Sequence, residues 1–125
     1  MTTILYKYII IIKDGDIVVN SNFNKNDYII LESLIGNECI TPFRSLTVKY
    51  LVDNCKFSHV KIRQTIKTFQ IYDYVKEGSR DGNTKTYYVT NLGVKHYMEV
   101  MDYNEDDISE LIEQYRNKRE DNDKC

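Results

Sequence analysis

A chain of 125 residues with 42% hydrophobic and 29% charged side chains carries enough apolar material for one core and too little length for two, which excludes disorder and points to a single binding or regulatory module. Its three cysteines, Cys39, Cys55 and Cys125, include no C-x-x-C pair and have only His59 and His96 beside them, so a reducing compartment is expected, with no structural zinc, metal or cofactor. The longest apolar run, YIIII at residues 8–12, is far shorter than the roughly 20 residues a membrane helix needs, and no small-residue cleavage site follows it; no membrane partner and a cytoplasmic location are expected.

In chain order, residues 4–19, ILYKYIIIIKDGDIVV, read as two strands joined at Asp14-Gly15, a pair that tolerates the positive φ of tight hairpin turns. NSNFNKN then breaks the pattern. Asn26 is the expected N-cap of a first helix, NDYIILESLI, with Gly36 as its stop. CITPF is an extended link, since Pro42 disfavours helix in the residues before it. Ser45 is expected to cap a second helix, LTVKYLVDNC, whose Leu46, Tyr50 and Leu51 supply an apolar face. After CKF, Ser58 caps a third, HVKIRQTIKTFQIY, with Ile62, Ile66 and Phe69 at i, i+4 and i+7. Two short helices across such a turn form a helix-turn-helix unit.

The stretch YDYVKEGSRDGNTKTYYVT reads as two strands around the polar turn GSRDGN, a hairpin that projects Arg80 and Lys85 into solvent. Thr90 or Asn91 caps another helix, LGVKHYMEVM, and Asn104 caps the last, EDDISELIEQYRNKRE. That last helix is acidic in its first turn and basic in its last, as the helix dipole favours. Its stripe of Ile108, Leu111, Ile112 and Tyr115 must be covered by this domain or by a second copy. Because such domains often bind two-fold DNA sites, a homodimer joined through this stripe or through the N-terminal hairpin is expected. The organisation read from the sequence is a β-hairpin extension over residues 1–22, a core domain over 23–103, and a C-terminal helix with a frayed tail over 104–125.

Helix, short strand, helix, turn, helix, hairpin is the order of an α+β winged helix-turn-helix domain, and the hairpin is its wing. FQIYDYVKEG…TKTYYVTNLGVKHY resembles the corresponding stretch of MarR-like regulators. Ser58, Ile62, Thr65, Ile66, Phe69, Tyr74 and Val75, with YYVTNLGVK at residues 87–95, resemble more closely the TubR family, the centromere-binding adaptors of tubulin-type plasmid and phage partition systems. The likeness covers about residues 44–98; the first 20 residues and the last helix have no placed counterpart. It implies a non-enzymatic, sequence-specific double-stranded DNA-binding protein that recruits a filament-forming partition protein.

The charge pattern agrees with a nucleic-acid partner. Residues 44–85 hold nine basic against four acidic side chains, residues 1–43 three against five, and residues 86–125 five against ten. A basic centre between acidic ends is an electrostatic footprint that the net charge of −2 hides. With Ile62, Ile66 and Phe69 inward, Lys61, Arg63, Gln64, Lys67 and Thr68 are expected outward or sideways, suited to base edges in the major groove, with Ser58 and His59 at the leading end. Ser45 and Lys56 flank this face, and Arg80, Asn83 and Lys85 on the wing suit phosphate or minor-groove contacts.

Each assignment has a plainer rival. Lys61, Arg63 and Lys67 also fit an ordinary solvated helix face, and the basic face also fits an acidic protein partner. A transcriptional repressor is the alternative within the DNA-binding class. Catalysis is not expected: Cys55 and His59 lie four apart across the turn, but Cys55 ends an apolar face, and Asp106 and Asp107 are helix-start residues without a pocket.

Overall fold

The computed structural model describes residues 23–124; the expected hairpin within residues 1–22 lies outside the described residues. Among the described residues, five helices and a three-stranded antiparallel sheet follow one another: α1 (Lys25–Gly36), β1 (Leu46–Thr47), α2 (Val48–Cys55), α3 (His59–Ile71), β2 (Val75–Glu77), β3 (Thr86–Val89), α4 (Asn91–Met101) and α5 (Glu105–Lys124). This is the α+β winged helix-turn-helix layout, with the strands in the order β1-β3-β2.

Helix α1 is capped two residues earlier than expected. Asn24, not Asn26, closes a reciprocal capping box: the Asp27 amide donates to Asn24 Oδ1 at 3.1 Å, and the Asn24 amide donates to Asp27 Oδ2 at 2.9 Å. The carboxylate three residues on completes that pair only for Asn24. Gly36 does not stop the helix but is its last residue, and Asn37 caps it. A Cβ at Gly36 would overlap the Tyr115 ring, so the glycine is required by packing.

The second cap also moves. Ser45 does not cap α2; Thr47 does, accepting from the Tyr50 amide at 3.1 Å. Leu46 and Thr47 are held extended by pairing with Tyr87 and Thr86 of β3, and helix cannot begin until that pairing ends. Lys56, at φ 62°, closes α2 in the left-handed region, and Ser58 caps α3 through the Lys61 amide at 3.1 Å. The helix-turn-helix turn is therefore Lys56-Phe57-Ser58. In the wing, Val75, Lys76 and Glu77 pair with Val89, Tyr88 and Tyr87, and Gly82, at φ 66°, turns the tip between the bridged Asp81 and Thr84.

One core joins these elements. Ile30, Leu31, Leu34, Leu51, Ile62, Phe69, Val75 and Val89 are buried together, and full burial of each such side chain stabilises the fold by about 2 kcal/mol. Three polar ties fix the helices around it. Buried Asp27 accepts from Lys61 Nζ at 2.6 Å and Thr65 Oγ1 at 2.9 Å, fastening α1 to α3. Glu32 accepts from the Tyr97 and Tyr115 hydroxyls, each at 3.0 Å, fastening α1 to α4 and α5. Arg116 donates twice to Glu38, at 3.0 and 2.9 Å.

The sequence leaves the stripe of Ile108, Leu111, Ile112 and Tyr115 to be covered by this domain or by a second copy, and part of it packs on the chain's own core. Leu111 is buried, and Ile108 and Tyr115 pack against the same cluster, with Tyr115 over Gly36 of α1. Ile112 is half-buried. Among the described residues, no helix is long and apolar enough to cross a membrane.

Candidate nucleic-acid interface

Capping and periodicity aim α3. Its inward face takes Ile62, Thr65, Ile66 and Phe69, which leaves Arg63, Gln64 and Lys67 exposed on the opposite side. Those three meet Lys85 of the wing in a cleft of 310 Å³ between α3 and the sheet, whose floor includes Val48, Ile66 and Tyr87. Gln70, one turn beyond Lys67, and Tyr87, on the face of β3, also line the cleft. Sequence reasoning missed both, although the i+3 spacing from Lys67 places Gln70 on the same face. Glu77 is the cleft's one carboxylate, 3.7 Å from Lys85 Nζ, and both side chains are largely exposed. A pair so exposed gains little and leaves the lysine available to a phosphate.

The other expected residues distribute unevenly. Ser58 and His59 are exposed at the start of α3, and Lys56 is exposed in the turn before it. Lys61 lies at the side of α3. Its ammonium is bound to Asp27 beneath the start of α1, with 29% of the side chain exposed, because the buried carboxylate requires a cation. Arg80 and Asn83 sit at the exposed wing tip, where Arg80 Nη1 donates to the Asn83 carbonyl at 3.3 Å. Ser45 and Arg80 line a second cleft of 400 Å³, on the far side of the wing from the first. Ser45 Oγ lies 2.7 Å from Thr86 Oγ1, which itself donates to the Ser79 carbonyl, so Ser45 braces the root of the wing.

Neither described cysteine is an activated nucleophile. Burial raises the pKa of Cys55, the largest effect on it, and raises that of Cys39 to about 11, opposite to what an activated thiolate requires. Among the described residues, no group of three His, Cys, Asp or Glu side chains is placed to hold a metal ion. His96 stacks on Tyr74 with ring centroids 4.4 Å apart and shares a 3.0 Å hydrogen bond with the Tyr28 hydroxyl. Its desolvation lowers its pKa to about 4.

An exposed basic recognition helix, a polar wing beside it and a sheet that holds the two at a fixed spacing define a winged helix-turn-helix protein. No family model matches the chain. Over 78 residues it is 40% identical to the DNA-binding protein TubR of Clostridium botulinum C phage, a match that takes in 62% of this chain and 96% of that protein. The chain belongs to the TubR family. The solution structure of the DNA-binding TubR fragment from Clostridium botulinum superposes with a TM-score of 0.54 at 38% identity, covering 62% of this chain and 96% of the fragment. TubR from Bacillus megaterium pBM400 shares the fold, with a TM-score of 0.58 at 19% identity over 69% of this chain and 93% of that one.

Proposed function

We propose that this protein binds double-stranded DNA sequence-specifically, as the adaptor that marks plasmid or phage DNA for partition. The observation that carries the reading is the convergence of Arg63, Gln64 and Lys67 on α3 with Lys85 on the wing around one open cleft. Arginine paired with guanine and glutamine paired with adenine are the geometric matches for major-groove base edges. Lys67 and Lys85 supply phosphate contacts that fix the register. Ser58 and His59 lead the helix into the groove, Lys56 flanks it, and Arg80 and Asn83 reach the duplex from the wing tip. Ser45 acts through the wing it braces.

The protein acts without catalysis, as a homodimer on a two-fold or repeated site, and presents a surface to a filament-forming partition protein. Local charge supports this division of labour: residues 44–85 have an excess of five positive charges, whereas residues 86–125 have an excess of five negative ones, which the duplex repels.

Fluorescence titration against the DNA upstream of the protein's own gene, and against a scrambled duplex of equal length, tests the reading. Preference for the native duplex that survives physiological salt is expected, with log affinity falling against log salt by roughly 0.9 per phosphate contact. Equal binding to both duplexes that salt abolishes would refute sequence-specific recognition.

A further inference from the structure

Phe43 is 89% exposed, the most exposed large apolar side chain among the described residues. Its backbone is nevertheless well anchored. Thr41 and Arg44 form an antiparallel bridge around Pro42-Phe43, and the Arg44 amide donates to the Thr41 carbonyl at 3.1 Å. The Ser79 amide of the wing donates to the Pro42 carbonyl at 2.7 Å. Gly78 permits this approach, since a Cβ there would stand 2.6 Å from the Pro42 oxygen. Pro42 and Phe43 are the central pair of this turn, and side chains at central turn positions project outward. Arg44 turns back, its Nε donating to the Asn37 carbonyl at 3.1 Å and its Nη2 3.6 Å from Glu38, so the phenyl ring is what the turn presents.

Phe43 lines the second cleft together with Thr47 and Tyr50 and with Ser79, Arg80 and Asp81 of the wing. Neighbouring residues line the two clefts: Thr47 and Thr86 face this one, Val48 and Tyr87 the cleft beside α3. The two clefts therefore lie on opposite sides of the wing, so a duplex whose groove takes the wing has one backbone on the side of α3 and the other on the side of Phe43. Arg80 provides the charge for the backbone phosphate there, and the phenyl ring provides an apolar face for what lies between phosphates.

We infer that Phe43 is a DNA contact that packs on the deoxyribose edge of the groove the wing enters. The inference rests on the DNA-binding reading and adds to it an apolar, sequence-independent anchor. Apolar side chains used in this way gain affinity by excluding water from sugars and base steps, and release no counterions.

Phe43→Ala, Phe43→Leu and Lys67→Ala, each in the 125-residue chain, are titrated against the native and scrambled duplexes over a salt series, with thermal unfolding and light scattering run alongside. Phe43→Ala is expected to weaken both duplexes about tenfold, with Phe43→Leu between it and wild type. The salt slope and the unfolding midpoint stay unchanged, because the residue touches no phosphate and little of the core. Lys67→Ala instead lowers the slope by about 0.9. If Phe43→Ala binds like wild type while Lys67→Ala is weakened, the Phe43 contact is wrong and the DNA reading stands. If Phe43→Ala turns dimers into monomers in step with its loss of affinity, the ring belongs between two copies and the inference is overturned. A wild-type chain that binds neither duplex removes the DNA reading, and this contact with it.

Discussion

His96 and Gly36 show how far a single residue's role depends on neighbours distant in sequence. His96 stacks on Tyr74 and lies edge-on to Phe23, and that aromatic surround disfavours the imidazolium, with the pKa at about 4 against an ordinary 6.5. The unfolded chain therefore binds a proton below pH 6.5 that the native state takes up only near pH 4, so stability is complete above pH 6.5 and is lost as pH falls between these values. Urea midpoints at pH 7 and pH 5 are expected to differ by about 1–2 kcal/mol in stability, and His96→Gln, which cannot titrate, should shrink the difference. An unchanged difference in the variant would assign the acid sensitivity elsewhere. Gly36 reads in sequence as a helix stop, and nothing local reveals that Tyr115 occupies the space of its missing Cβ. Gly36→Ala gains about 1 kcal/mol of helix propensity and meets an overpacking cost of about 1–3 kcal/mol. A net loss in the denaturant midpoint is expected, whereas the same Gly36→Ala change made in a Tyr115→Ala background, itself less stable, should raise the midpoint.

At the scale of elements, the sequence was most legible where caps and periodicity agree. Ser58 before α3, Thr90 before α4 and Asn104 before α5 all cap as spacing suggests, and the inward row Ile62, Ile66 and Phe69 is buried as its period requires. Strand β1 was not legible as a bounded element, because two residues become a strand only through pairing with β3, some 40 residues away. The recognition face was legible in part: charge and period put Arg63, Gln64 and Lys67 outside, but only tertiary structure reveals that Lys61 answers the buried Asp27. The same helix therefore predicts two phenotypes. Arg63→Glu with Lys67→Glu should abolish DNA binding and leave the urea midpoint within about 0.5 kcal/mol of wild type. Lys61→Met should cost about 2 kcal/mol in stability, by leaving Asp27 without its cation, and spare the affinity of the folded fraction. Comparing titrations with denaturation curves separates the two, and a Lys61→Met protein of native stability with lost DNA binding would reverse the assignment.

For the whole molecule, the decisive feature is that α5 belongs to the core. Tyr115 reaches Glu32 of α1, which also receives Tyr97 of α4, and Leu111 closes the apolar cluster. Removing residues 104–125 therefore does more than remove an acidic segment. It uncovers apolar surface on α1, leaves Glu32 with one hydroxyl donor fewer, and is expected to lower stability by at least about 3 kcal/mol. DNA affinity should then fall only with the folded fraction, so unfolding curves must accompany any binding measured on the truncated chain. The same packing decides how association should be tested. A dimer joined through the α5 stripe would need Leu111 and Tyr115, which the chain already uses, whereas Ile112 is the stripe residue outside the buried cluster. Ile112→Asp is expected to leave the light-scattering mass unchanged, because Leu111 and Tyr115 of the same stripe are already engaged by the chain's own core. A dimer that dissociates in this variant while keeping its unfolding midpoint would return α5 to the interface, with Ile112 as its anchor.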